Sequence, residues 1–276
     1  MRIYADYDEE PEDHFLPLSA TVYQEMYDIE LTDFADDLSY YTAHLPSGAD
    51  ILELGCGSGR LSRLLVAAGH RLTGIDSSLA MLRAARTRHT PATLVCADMR
   101  ALPFRHGFSA IVIAYNTLNL LTDNHDVHRC LTSCRHNLYP GGTLLLQLHL
   151  AADTSRYHDG VTFQFQLFDH PTGGKIVKET LRTRRDHRSC IELEERYKLR
   201  PTGGAEAAVN FRHILHLNAN SRTAWLELIQ QAGFALQSTA TAYQPHRPEV
   251  PGMLLVHAVR TDSGGARAGD AFFSLP

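Results

Sequence analysis

The run Ile51-Leu52-Glu53-Leu54 leads straight into Gly55-Cys56-Gly57-Ser58-Gly59, and Arg60–Ala68 then carries apolar residues at helical spacing. Three alternating glycines between an apolar run and a helix constrain this stretch to a strand, a tight turn and a helix. Glycine lacks a Cβ, so the turn can take positive φ and the backbone can approach a ligand closely. In open α/β sheets such a turn brings backbone N–H groups to a nucleotide. Seventeen residues past Gly59, a second apolar run ends in Asp76, within Thr73-Gly74-Ile75-Asp76. An acid at the end of the second strand is where a ribose is held. Turn and acid together point to an adenine-type cofactor without saying which one.

The dinucleotide pattern G-x-G-x-x-G would put its third glycine at position 60, which is Arg60. The spacing found here, E-L-G-C-G-S-G, resembles instead the first motif of the class I S-adenosylmethionine-dependent methyltransferases. Further positions carry the same resemblance over about residues 20–150. Asp76 closes the second strand in G-I-D-S-S, and Cys96-Ala97-Asp98-Met99 follows a third, with Leu102-Pro103-Phe104 behind it. Ala110–Ala114 leads into Tyr115-Asn116-Thr117-Leu118, and Leu138-Tyr139-Pro140-Gly141-Gly142 precedes the apolar strand Thr143–Leu148. Tyr23, Tyr27 and Asp28 are similar to the N-terminal Y-x-x-x-Y-D of such enzymes.

The resemblance implies S-adenosyl-L-methionine as cofactor and S-adenosyl-L-homocysteine as its product. It implies a Rossmann-like α/β fold with a mostly parallel seven-stranded sheet and an antiparallel β insertion after the fifth strand. The expected organisation is an acidic arm and helical cap over 1–48 and a cofactor-binding core over 49–150. An insertion covering the substrate over 151–217, a helix and closing strands over 218–260, and a tail over 261–276 complete it. Strands are expected at 50–54, 71–75, 92–96, 109–114 and 143–149, as near-continuous apolar runs of the kind buried on both faces. Helices are expected at about 59–68, 78–88 and 123–138. After His149 the texture changes to alternating strands at Val161–Phe168, Lys175–Arg184, Cys190–Leu199 and Val209–Leu217. Their turns are Pro171-Thr172-Gly173-Gly174 and Pro201-Thr202-Gly203-Gly204, which argues for antiparallel pairing. Ser221 then reads as the N-cap of a helix over Ser221–Ala232, with Trp225, Leu228 and Ile229 on its apolar face and Gly233 at its end.

The candidate cofactor contacts are Tyr23, Tyr27, Glu53, Gly55, Cys56, Gly57, Gly59, Asp76, Ser77, Met81, Asp98, Met99 and Asn116. Glu53 carries a charge argument of its own: a carboxylate beside the turn would repel a pyrophosphate and attract an ammonium or sulfonium. Asp76 is expected at the ribose hydroxyls. By resemblance, Asp98 and the Met99 backbone stand at the adenine, and Asn116 lies near the transferred methyl group. Tyr23 and Tyr27 have two open readings: rings turned towards a sulfonium, or aromatics that pack a helix. The candidate catalytic residues are His149, Asn116 and His216. His149 ends the fifth strand, where a neutral imidazole could take a proton from an acceptor. His213 and His216 fall in the inserted sheet, which related enzymes use as a substrate floor.

A net charge of −5 argues against a protein that tracks phosphates, although Arg182-Thr183-Arg184-Arg185 and Arg188 sit close together. Sixteen histidines raise the question of a metal. His125 and His128, followed by Cys130 and Cys134, lack the spacing of a zinc site, so none is expected. No signal region or stretch of 18 apolar residues is found, and the expected location is the cytoplasm, with reduced thiols. The function expected is methyl transfer to N or O of a small molecule: an amine, an amino sugar or a secondary metabolite. No nucleic-acid or membrane partner is expected, and nothing in the sequence indicates an oligomer. The alternatives are a protein or nucleic-acid methyltransferase, which would need a basic groove, and a non-methylating descendant that keeps the fold.

Overall fold

The apolar runs on either side of the glycine turn form the middle of a twisted sheet in the computed structural model, which describes residues 14–104, 107–150, 161–185, 190–202 and 208–261. The chain begins with β1 (Phe15–Pro17), α1 (Ala20–Glu30) and α2 (Leu38–His44). It then alternates β2 (Asp50–Leu54), α3 (Arg60–Ala67), β3 (Arg71–Asp76), α4 (Leu79–Thr87) and β4 (Thr93–Cys96). β5 (Phe108–Ile113), a 3-10 turn at Thr117–Leu120, α5 (Asn124–Asn137) and β6 (Leu138–His149) complete this half. Four strands follow: β7 (Val161–Asp169), β8 (Gly174–Arg185), β9 (Cys190–Pro201) and β10 (Val209–Asn218). The last elements are α6 (Arg222–Gln231), β11 (Phe234–Ala240) and β12 (Met253–Arg260).

Two sheets result. The larger has the order β11-β12-β6-β5-β2-β3-β4. Its strands from β6 to β4 run parallel, and β12 and β11 close it antiparallel. Strand parity sends alternate residues to opposite faces. Leu52, Leu54, Ile111, Ile113, Leu144 and Leu146 pack with Val127 and Leu131 of α5 and with Trp225 and Ile229 of α6. Ile51, Ala110, Val112 and Leu145 pack with Leu61 and Leu65 of α3 and with Tyr40 and Tyr41 of α2. The helices start where their capping residues predict. Ser78 accepts from the Met81 N–H, and Ser221 accepts from the Ala224 N–H. None of the described helices is long and apolar enough to cross a membrane.

The smaller sheet has the order β1-β10-β9-β8-β7 and is antiparallel except where β1 joins β10. It packs on α1 through Ile176, Tyr197 and Leu199 against Met26. The α/β architecture and the antiparallel insertion therefore stand as the sequence implied.

Two local readings are corrected. Residues 15–17 are not part of a loose arm but a short strand, paired through Phe15 to Asn210 and Pro17 to Arg212. β6 begins at Leu138, because Pro140-Gly141-Gly142 is absorbed as an irregularity between the pairs Phe108–Leu138 and Ala110–Thr143. The acidic run over 6–13, Gly203-Gly204, Arg188 and the tail over 262–276 lie outside the described residues.

Candidate active site

The three turn glycines all hold positive φ: +69° at Gly55, +54° at Gly57 and +81° at Gly59. Their surroundings differ. A Cβ on Gly55 would stand 2.3 Å from Thr117 Cγ2, and one on Gly59 would stand 2.4 Å from Thr90 Oγ1. A Cβ on Gly57 would meet the Tyr27 ring only at 3.7 Å and Met81 Sδ at 3.9 Å. At Gly55 and Gly59 the neighbouring side chains leave no room for a Cβ, while at Gly57 a Cβ would make only ordinary contact. Asp76, at the end of β3, organises that space: its carboxylate accepts from the Gly57 N–H at 2.9 Å and from the Ser78 N–H at 2.8 Å. Burial raises the Asp76 carboxyl above its ordinary range, partly offset by hydrogen bonds from Ser78, Gly57 and Ser77.

α1 lies over this turn and is tied to it. Asp28 accepts a hydrogen bond from Ser58 Oγ in the turn and an ion pair from Arg88 at 2.7 Å. Arg60, the first residue after the turn, donates to both Asp37 oxygens at 2.9 and 2.6 Å, and Asp37 is wholly buried. Tyr27 meets Tyr115 edge-on with ring centroids 6.1 Å apart, and Phe34 packs against both Tyr115 and Tyr243. Tyr115 and Asn116 both hold positive φ, at +48° and +61°. Two successive non-glycine residues in that region carry backbone strain, here at the carboxyl end of the sheet.

A cavity of about 940 Å³ opens from the turn and continues to the inner face of the inserted sheet. Alternate residues of its strands face inwards: Gln164 and Gln166 on β7, Lys178 and Thr180 on β8, Glu195 and Tyr197 on β9. Lys178 Nζ bridges Glu30 at 2.7 Å and Glu195 at 2.7 Å, and the Tyr197 hydroxyl donates to Glu30 at 2.6 Å. Burial would lower the Lys178 ammonium, but the two carboxylates more than reverse it and hold it charged. His149 stands in the same cavity. Burial, with Arg182 adding to it, pushes its imidazole down to about 4, so it is neutral at pH 7.

Residues 51–142 match the family model described as a methyltransferase domain. Over those residues the chain carries a methyltransferase domain. It is 32% identical over 151 residues to YqeM of Bacillus subtilis (strain 168), a provisionally assigned methyltransferase, covering 53% of this chain and 60% of that protein. It is 26% identical over 113 residues to the dTDP-3-amino-3,6-dideoxy-alpha-D-glucopyranose N,N-dimethyltransferase of Streptomyces fradiae, covering 41% of this chain and 44% of that one. The chain thus spans only about half the length of these curated relatives. Among solved structures, it is similar to S-adenosylmethionine-bound CalS10 of Micromonospora echinaspora, an amino pentose methyltransferase. The TM-score there is 0.70 at 21% identity, covering 91% of this chain and 100% of that one.

Of the candidate residues, the cavity wall takes in Tyr23, Tyr27, Gly55, Gly57, Asp76, Ser77, Met81, Asn116 and His149. It does not include Glu53, Cys56, Gly59, Asp98 or Met99. Glu53 is 3% exposed, accepts from Ser62 Oγ at 2.5 Å, and is raised by burial to about 8. The charge argument placed on it is corrected: a carboxyl that keeps its proton near neutral pH attracts no cation. Asp98 is turned outwards, where Arg100 grips it through Nε and Nη2 and holds its carboxyl below the usual range. Met99 packs on the sheet's core. His216 is also corrected. Its side chain is 53% exposed, 3.5 Å from Glu192, because strand parity puts it on the outer face of β10. His213, on the opposite face, packs its ring 4.8 Å from Tyr23.

The residues that fill the far wall (Glu30, Lys178, Thr180, Glu195 and Tyr197) were not singled out from the sequence. Lys178-x-Thr180 and Glu195-x-Tyr197 each keep a polar pair on one strand face, a signal that was present. Which face is inner becomes known only once α1 is docked.

The wall fits S-adenosylmethionine in kind. The cradle at Gly57 is one that a side chain would fill, Asp76 is the acid beside it, and the guanidiniums beside the turn, Arg60 and Arg88, are engaged by Asp37 and Asp28 rather than offered to a pyrophosphate.

Proposed function

We propose that the protein transfers a methyl group from S-adenosyl-L-methionine to N or O of a small molecule (an amine, an amino sugar or a secondary metabolite) by in-line displacement. The observation that carries this reading is the single cavity running from Gly57 and Asp76 to the inner face of the inserted sheet. Donor and acceptor would share one compartment. At about 940 Å³ it lies towards the upper end of small-molecule sites, roughly 300–1,000 Å³. The names of the amino-sugar relatives support a nitrogen acceptor.

When bound, the donor supplies an electrophilic methyl carbon on a sulfonium and leaves as S-adenosyl-L-homocysteine. The rest falls to this chain. The Gly57 backbone and the Asp76 carboxylate hold the nucleoside end. The rings of Tyr27 and Tyr115 offer π faces to a positive sulfur. α1, tied down by Asp28, and the start of α2, tied down by Asp37, keep water out. Neutral His149 accepts a hydrogen bond from the attacking group and orients it. Holding nucleophile and methyl carbon in line is the main source of rate in such a site. The strained Tyr115-Asn116 pair is placed to set that line. The proposed setting is the cytoplasm, with neither nucleic acid nor membrane as partner.

The test is mass spectrometry of small-molecule mixtures incubated with the protein and S-adenosylmethionine. The reading expects a methylated small molecule with one S-adenosylhomocysteine released per product. Methyl transfer confined to protein or nucleic acid would overturn it.

A further inference from the structure

Resting on that reading, the far wall of the cavity says something about the acceptor's charge. Two carboxylates, Glu30 and Glu195, share one ammonium, Lys178; Lys178 and Glu195 are buried in the wall and Glu30 is partly so. The cluster is left with a formal charge of −1. A buried charge without full compensation is costly, and a cation entering the cavity offsets that cost. A second observation points the same way. Thr180 neighbours Lys178 on the same face of β8, pairs directly across with Glu195, is only 4% exposed, and lines the cavity. Its hydroxyl makes no hydrogen bond to any described residue, so it is held ready for a ligand. Tyr23 and Tyr115 line the same cavity with electron-rich rings. Arg182 and Arg247 also line the cavity, as do Asp36 and Asp76, so the lining as a whole keeps the same formal charge of −1.

We propose that Glu195 and Thr180, with Glu30 and Lys178 behind them, form an ammonium subsite that selects a methyl acceptor carrying a protonated amine. Lys178 fixes the carboxylates and prevents the pair from repelling itself apart. Glu195 Oε2, 3.5 Å from the Tyr197 hydroxyl, and the Thr180 oxygen accept N–H bonds from the acceptor's ammonium. The attacking nitrogen then gives its proton to water, and its lone pair takes the methyl carbon as S-adenosylhomocysteine leaves.

The experiment has two arms. Binding of S-adenosylhomocysteine is first measured by calorimetry on the full chain; no binding would defeat the reading of the site itself. Release of S-adenosylhomocysteine is then followed with a panel of small amines, each matched by the alcohol and the carboxylic acid of the same skeleton. Turnover is expected with amines and not with their matched alcohols or acids. Glu195→Gln should raise the amine KM about tenfold, the scale of a lost charge-assisted hydrogen bond. Thr180→Val should raise it about threefold, with Thr180→Ser restoring it. Both variants should keep S-adenosylhomocysteine affinity. A merely structural cluster would instead lower melting temperature and donor affinity and leave amines and alcohols equally affected. Donor binding with no amine turned over, or with alcohols or acids turned over as well as amines, would overturn the ammonium subsite alone.

Discussion

Gly57 holds φ at +54° in the cavity wall, where a Cβ would make only ordinary contact with Tyr27 and Met81, so a branched side chain there takes up space a ligand would need. Gly57→Val should abolish S-adenosylhomocysteine binding while costing about 1–2 kcal/mol of stability for the left-handed backbone; calorimetry with a urea melt checks both. Gly55→Ala, at φ +69°, should carry the same left-handed penalty and lose about a further 1–3 kcal/mol to overpacking because its Cβ would strike Thr117. Glu53 carries a pH signature. Its carboxyl sits near 8 when folded against 4.5 unfolded, so the folded state binds the extra proton between those values. Its stabilising contribution is complete below the unfolded value and is lost as pH rises through about 8. Glu53→Gln should flatten that loss in melts from pH 6 to about 9 and leave donor affinity unchanged; an unaltered slope would mean that Glu53 is ionised throughout. The three glycines and Asp76 were legible because each has a single-residue signature. The division of labour among the glycines was not, since it depends on Thr117 and Thr90 arriving from elsewhere in the chain.

At the scale of elements, the cap is held by a buried ion pair whose partners lie 23 residues apart, Asp37 and Arg60. Removing one member leaves the other charge buried. Asp37→Ala should therefore cost about 3–5 kcal/mol in a denaturant melt and loosen α1 and α2 from the turn. A loss within experimental error would show that the cap is held by its aromatic packing. The parallel strands were readable as apolar runs because both of their faces are covered. β1 was hidden by its acidic neighbours and by having three residues, too few to show a period. His216 illustrates the limit of strand reading: a one-residue choice decides which face a side chain takes. The sequence supplies the alternation, whereas the packing of α1 supplies the face.

The whole molecule sets a Rossmann-like sheet and an antiparallel sheet around one cavity, with α1 between them. α1 touches the glycine turn through Asp28 and the wall formed by the inserted sheet through Glu30, two residues apart on one helix. The donor half was legible because its motifs are contiguous and ordered along the chain. The acceptor half was not, because Glu30, Lys178 and Glu195 meet only after residues 148 positions apart are brought together. The central proposal is that the turn at 55–59 holds the donor, and one calorimetric comparison tests it most directly. S-adenosylhomocysteine should bind the wild-type chain at one site, while NADH should give no heat of binding under the same conditions. NADH binding with no response to S-adenosylhomocysteine would contradict it.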